Sequence, residues 1–229
     1  MATSGERRSR REAEPAPMLV WAIVLACVLP ELVLSGADYG LWGRTGWRDI
    51  AFSYGAFWTP LLRGATPLFP GQAELMFLSH GFLHAGLVHL LFNMMTLVSL
   101  GGPLCRRFGT AGFALLYLVS LVGGGLGFAV LSDTALPMIG ASGALFGLAG
   151  AWLAVERSRL VARGLSVWPV IRATIWIIAL NVVMWLALMG FLAWQAHLGG
   201  FVAGWLAGML APVPAAGRQR SPHRPPPAD

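Results

Sequence analysis

The chain has 229 residues, of which 56% are hydrophobic and only 11% charged, and its mean hydropathy is +0.67. A soluble domain carries about a quarter of its residues as charged side chains, so the composition excludes one and points to a polytopic protein embedded in a lipid bilayer. The net charge of +6 comes from 16 basic residues, every one an arginine, against 10 acids; these arginines sit in short clusters between apolar runs, a placement that sets membrane topology rather than binding nucleic acid.

Residues 1–17, with Arg7, Arg8, Arg10 and Arg11 followed by Pro15 and Pro17, lack periodicity and are expected to form a disordered basic arm. An apolar run at 18–34 is the first predicted span. Its basic flank and the Ser35-Gly36-Ala37 end also suit a signal peptide, but the run is long and further spans follow. Residues 36–80 then form a predicted extracytoplasmic loop with Trp42, Trp47, Trp58 and Phe69 among glycines and prolines, suited to the membrane interface. Within it, residues 57–62 are expected to make a short interfacial helix. Five more predicted spans lie at about 81–100, 110–131, 139–155, 170–189 and 192–210, and the Pro/Arg-rich residues 211–229 form a predicted disordered tail. The expected fold is therefore an all-α, polytopic bundle of six transmembrane helices over residues 18–210.

Thirteen arginines fall on one side of such a bundle (the arm, 101–109, 156–172 and the tail), and three, Arg44, Arg48 and Arg63, fall on the other. The positive-inside bias then places both termini in the cytoplasm, as an even number of spans requires. The fourth span is expected to be a short helix: residues 141–155 make roughly 22 Å of helix at 1.5 Å per residue, less than the hydrocarbon thickness. The preceding stretch from Asp133 to Gly140, with Pro137, must then dip inward as non-helical backbone, which is tolerated at depth only beside protein or a water-filled cavity.

Polar groups inside spans are costly and are functional candidates by default. Span two carries His84, His89 and Asn93, span four begins at Ser142, span five holds Asn181, and span six holds Gln195 and His197. No span has a central Asp or Glu, which excludes an aspartyl pair and a His-Glu-x-x-His zinc site, and no metal or cofactor is expected. The two cysteines, Cys27 and Cys105, make neither a disulfide framework nor a metal spacing. Ser142 in Gly140-Ala141-Ser142-Gly143 reads either as a helix N-cap or as a nucleophile beside the unpaired N–H groups of a first turn. His197 lies at an equivalent depth on span six. Gly143 and Gly147, and Gly200, Gly204 and Gly208, recur every four residues, so the two helices can pack almost backbone to backbone and bring serine and imidazole together. His89 and Asn93 share a helix face, as interhelical glue or as part of a site; a bis-histidine haem is disfavoured by the tight packing that the glycines imply.

Three segments together resemble the signatures of the rhomboid intramembrane serine proteases: His89-Leu90-Leu91-Phe92-Asn93, Gly140-Ala141-Ser142-Gly143, and Ala196-His197-Leu198-Gly199-Gly200 continuing through Gly204. The likeness covers about residues 71–210. It implies a Ser-His dyad cleaving transmembrane segments of membrane proteins near the extracytoplasmic side, with Ser142 as nucleophile and His197 as general base. The side chains of His89 and Asn93 and the Ser142 backbone N–H would form the oxyanion hole, supported by His84, Gly140, Gly143 and Phe146. Phe146 stands where many relatives have a tyrosine stacked on the catalytic histidine, so stacking can survive without the hydroxyl. Leu75-Met76 stand where many relatives carry Trp-Arg, and Trp47-Arg48 lie too far upstream to be their counterpart.

The same resemblance implies lateral substrate access between spans two and five, with Trp176, Met184 and Trp185 either lining that gate or facing lipid. The compact form and charge pattern suit a bacterial inner membrane. The alternatives are a catalytically silent rhomboid-like protein that binds transmembrane helices, which would be expected to lack Ser142 or His197, and a solute transporter, for which intramembrane charge and inverted repeats are missing.

Overall fold

The computed structural model describes residues 17–210; the arm and tail expected to be disordered lie outside the described residues, Pro17 excepted. Among the described residues the regular structure is helical: α1 (Met18–Asp38), α2 (Trp47–Gly55), α3 (Gln72–Ser79), α4 (Leu87–Leu131), α5 (Ser142–Ala162), α6 (Trp168–Ala187) and α7 (Trp194–Met209), with short 3-10 turns at Thr59–Arg63 and His80–Phe82. Of these, α1, α4 and α6 are long and apolar enough to cross a membrane.

The 45-residue α4 takes up both the second and third predicted spans. Its axis breaks at Gly109, where φ is 73° and ψ is 168°, a conformation open essentially to glycine alone. The predicted turn at 101–109 is thus helical up to Phe108, and the first arm starts at Leu87 rather than at Gly81. Residues 81–86 instead close a 3-10 turn and run extended into Gly86. Two arms of about 22 residues each, at 1.5 Å per residue, are each of membrane-crossing length.

Two further expectations need correction. The fourth helix is not short: α5 continues through Glu156, Arg157 and Arg159 to Ala162, 21 residues in all, because charged residues past the apolar stretch are good helix formers at a water-facing end. The apolar count measured the hydrophobic part of the helix, not the helix. The 36–80 segment is not mainly loop. It contains α2 and α3, and residues 57–62, expected to be helical, are extended at Phe57 and Trp58 and turn 3-10 only from Thr59. No apolar run of spanning length announces these eight- and nine-residue helices.

The main core joins α1, both arms of α4 and α5 through Val20, Cys27, Leu97, Leu104, Phe113, Leu121 and Leu148. A second cluster, Phe57, Met76, Phe128, Met138 and Ala196, fixes the 36–80 segment onto the top of α4 and α7. Of the Leu75-Met76 pair, Met76 is fully buried there, whereas Leu75 is exposed. α6 stands apart: Val170 is its only buried residue, packed with Leu153 and Leu160 of α5 near one end.

Candidate active site

Glycines decide how α5 and α7 meet. A Cβ built on Gly200 or Gly204 would collide with the backbone carbonyl of Gly143 or Gly147, and one on Gly208 would come within 2.7 Å of the Ala151 carbonyl. The second arm of α4 fits the same junction, with Gly123 and Gly127 against Gly199 and Gly124 against Ala196. Three helices therefore meet at glycines, with only small side chains such as Ser120 and Ala203 in the contacts, which fixes their relative heights to within a fraction of a turn.

At the top of this junction Ser142 is the first residue of α5 and His197 lies in the first turn of α7. The Ser142 hydroxyl donates to His197 Nε2 at 2.8 Å. The imidazole is 3% exposed and stacks on Phe146, with ring centroids 4.1 Å apart and planes at 9°. On its far side Nδ1–H donates to Asn181 Oδ1 of α6 at 2.9 Å, which assigns the tautomer that leaves Nε2 as the acceptor. A serine hydroxyl held against an imidazole nitrogen is the arrangement from which an activated nucleophile is built.

The chain reaches Ser142 along a short irregular strap. Phe57 and Met138 exchange antiparallel backbone hydrogen bonds of 2.8 and 2.9 Å, and Gly140 N–H donates to the His80 carbonyl at 2.9 Å. Thr59 and Arg63 side chains donate to the carbonyls of Thr134 and Ser132. The non-helical backbone expected before Ser142 is thus satisfied by protein, from the 36–80 segment. Gly140 has φ of 115°, and a Cβ there would lie 2.8 Å from His89 Cε1, 3.0 Å from His89 Nε2 and 3.8 Å from Ser142 Oγ. The strap therefore needs glycine for both its conformation and the space.

His89 faces the serine across that glycine. Its Nδ1 accepts from the Ala85 N–H at 3.3 Å, so the ring proton belongs on Nε2, which points toward Gly140 and is a donor. Asn93, one turn below, donates from Nδ2 to the His89 carbonyl at 2.8 Å, and its Oδ1 has no partner among the described residues. Asn93 thus lies one turn below His89, and this bond uses one of its two amide N–H groups. His84 is fully buried and packs edge-on to His89 at 5.1 Å; neither of its ring nitrogens has a hydrogen-bond partner among the described residues. Gly143 belongs to the α5–α7 contact rather than to the polar cluster.

Three residues of this neighbourhood were not singled out for a role by their sequence. Asn181 was visible only as a polar residue in a span. His80 holds Gly140 through its carbonyl, while its Nδ1 bonds the Met76 carbonyl at 2.7 Å; nothing local marks it. Arg48 makes a bidentate pair with Glu31, at 2.9 and 2.8 Å, bonds Asp38 at 2.6 Å, and donates to the His84 carbonyl at 2.7 Å. The hydrogen bonds to Glu31 hold its guanidinium above the ordinary arginine range. Although α2 lies far upstream, Arg48 thus reaches the turn that leads into His89. Among the described residues no three His, Cys, Asp or Glu side chains gather in metal-binding reach.

A membrane-embedded helical bundle that aligns a serine and a histidine across glycine-lined helices defines the class to which the comparisons then give a name. Residues 72–212 match the Rhomboid domain family, so this chain belongs to the rhomboid family. It is similar to RHOMBOID-like protein 1 of Arabidopsis thaliana, 37% identical over 129 residues (56% of this chain, 32% of the relative), and to RHOMBOID-like protein 2 of the same plant, 38% identical over 136 residues (58% and 41%). It is also similar to the rhomboid protease GlpG of Yersinia pestis (strain Pestoides F), 28% identical over 200 residues (85% and 62%). The chain spans about a third of the first of these relatives and less than two thirds of the last.

Proposed function

We propose that this protein is a serine-type intramembrane endopeptidase that cleaves transmembrane segments of other membrane proteins by a Ser142–His197 dyad. The 2.8 Å hydrogen bond from Ser142 to His197 Nε2, across two helices that glycines press together, carries this reading. Ser142 Oγ attacks the scissile carbonyl while its proton passes to His197 Nε2. His197 then returns that proton to the departing amine, and water releases the acyl group with His197 again as base.

The oxyanion would be met by the Ser142 backbone N–H, in the first turn of α5 where N–H groups lack an intrahelical acceptor, and by His89 Nε2–H. Each such donor is worth about 3 kcal/mol in the transition state. The second N–H of the Asn93 amide, which the His89 carbonyl does not use, would be a third donor. His84 would support His89 by edge-on packing.

In this reading both arms of α4, together with α1, α5, α6 and α7, are six spans, both termini are cytoplasmic, and the membrane is a bacterial inner membrane. The Ser142 end then lies toward the outer face, and substrate comes in laterally between the first arm of α4 and α6. The test is cleavage of a model single-span substrate in liposomes by wild type, Ser142→Ala and His197→Ala, with fluorophosphonate labelling in parallel. Wild type should cut and label and both variants should lose cleavage. A folded wild type that binds substrate helices but neither cuts nor labels would make it a helix-binding relative instead.

A further inference from the structure

α6 is the least embedded of the long helices, yet its half-buried residues are not scattered. Val170 and the half-buried Ala173, Thr174, Ile177 and Asn181 stand at i, i+3, i+4, i+7 and i+11 and form one stripe toward the bundle, with only the half-buried Ala179 off it. The lower part of the stripe is apolar and packs on Leu153, Leu160, Phe201 and Trp205. Its upper end is Asn181. There α6, α5 and α7 diverge around a mainly apolar cleft of about 550 Å³, lined by Phe146, Asn181, Trp185, Trp194, His197 and Phe201. The amide in this cleft bonds the one imidazole nitrogen that Ser142 does not use.

A histidine that serves as base at Nε2 must carry its resting proton on Nδ1, and a neutral imidazole in an apolar pocket has no water to hold that tautomer. Phe146 fixes the ring plane but leaves rotation within that plane open. A hydrogen-bond acceptor at Nδ1 supplies both the tautomer and the remaining angle, as the third group does in serine and cysteine hydrolases. We propose that Asn181 is a positioning residue for His197, making Ser142–His197–Asn181 a three-membered relay whose alignment depends on α6 being docked against the bundle. The amide stays neutral throughout; it accepts from Nδ1–H before, during and after proton transfer at Nε2. The relay rests on the reading of Ser142 and His197 as nucleophile and base.

The test compares wild type with Asn181→Leu, which keeps the volume and removes the acceptor, and with Asn181→Asp, which keeps an acceptor oxygen in place. Thermal unfolding in the same detergent checks that each variant is folded. Asn181→Leu should lower kcat on a model single-span substrate, and the rate of fluorophosphonate labelling of Ser142, by about tenfold to a hundredfold with KM unchanged. Asn181→Asp should recover most of that loss. Nitrogen-15 NMR of histidine-labelled protein, with His197 assigned by difference from His197→Ala, should show wild-type His197 protonated on Nδ1 and a mixture of tautomers in Asn181→Leu.

Wild-type His197 protonated on Nε2 would overturn the relay with no variant needed. Equal losses in the Leu and Asp variants, or wild-type kinetics in Asn181→Leu, would overturn it too. In those cases, retained wild-type labelling that Ser142→Ala abolishes leaves the protease reading standing. A wild type that does not label removes both.

Discussion

α7 and α6 each bring one polar group to the same imidazole system, and they hold it in opposite ways. α7 lies backbone to backbone on α5 and on the second arm of α4, with glycine at every close approach, so His197 cannot change height without separating three helices. α6 rests on a few apolar side chains near one end, with Val170 its only buried residue, and reaches His197 through a single hydrogen bond. One side of the site is set by hard contact and the other by a contact that can be made or broken. A serine nucleophile needs the first for placing its base and tolerates the second only for orienting it.

The sharpest way to break the rigid side is Gly204→Val. Its side chain has no room against the Gly147 carbonyl, and overpacking of this kind costs about 1–3 kcal/mol or more; the expected result is loss of cleavage with a clearly lower melting temperature. Gly140→Ala should come next. The strap would have to leave its φ of 115° and push into His89, and a displacement of about 1 Å at the reacting atoms costs on the order of a hundredfold in rate, seen as a fall in kcat with the fold retained.

The Arg48 clamp acts on stability rather than on the placing of the reacting groups. Glu31 has no exposed side-chain surface, so Arg48→Leu strands a buried carboxylate and should destabilise the protein by about 3–5 kcal/mol. The double variant Glu31→Leu with Arg48→Leu should regain much of that, and a thermal-unfolding double-mutant cycle measures the coupling. Phe146→Leu, which removes the stacked ring from His197, should lower kcat modestly while Phe146→Tyr stays close to wild type. On the outer face of α6, Trp176→Leu should leave both melting temperature and kcat within error, since Trp176 is 69% exposed and touches neither the cleft nor His197. A large effect there would contradict the division into a fixed and an adjustable side. Trp185, by contrast, lines the cleft, so the aromatic residues of this helix, open between gate and lipid in the sequence, divide by face.

Much is readable in the sequence because membrane insertion depends on local properties. The length of an apolar run, the arginines flanking it and a polar residue inside it are each visible within twenty residues. So were the glycine repeats every four residues, and with them the close approach that puts Ser142 beside His197. Helix ends were less readable. α5 runs on to Ala162 past the apolar count, and α4 begins only at Leu87, because hydropathy marks where lipid could be, not where backbone hydrogen bonding stops. α2 and α3 are not marked by hydropathy for the complementary reason, being only nine and eight residues long.

What the sequence determined by itself is therefore the membrane class, the apolar runs and the identity of the residues able to do chemistry. Only the tertiary structure decided that Arg48 of α2 ties Glu31 to the turn before His89, that His80 holds the strap at Gly140, and that Asn181 meets Nδ1 of His197. Those contacts join residues 16 to 60 positions apart through one or two directional hydrogen bonds each. Such bonds leave no periodicity in the chain, and they form only once packing has set every helix at its final height and rotation.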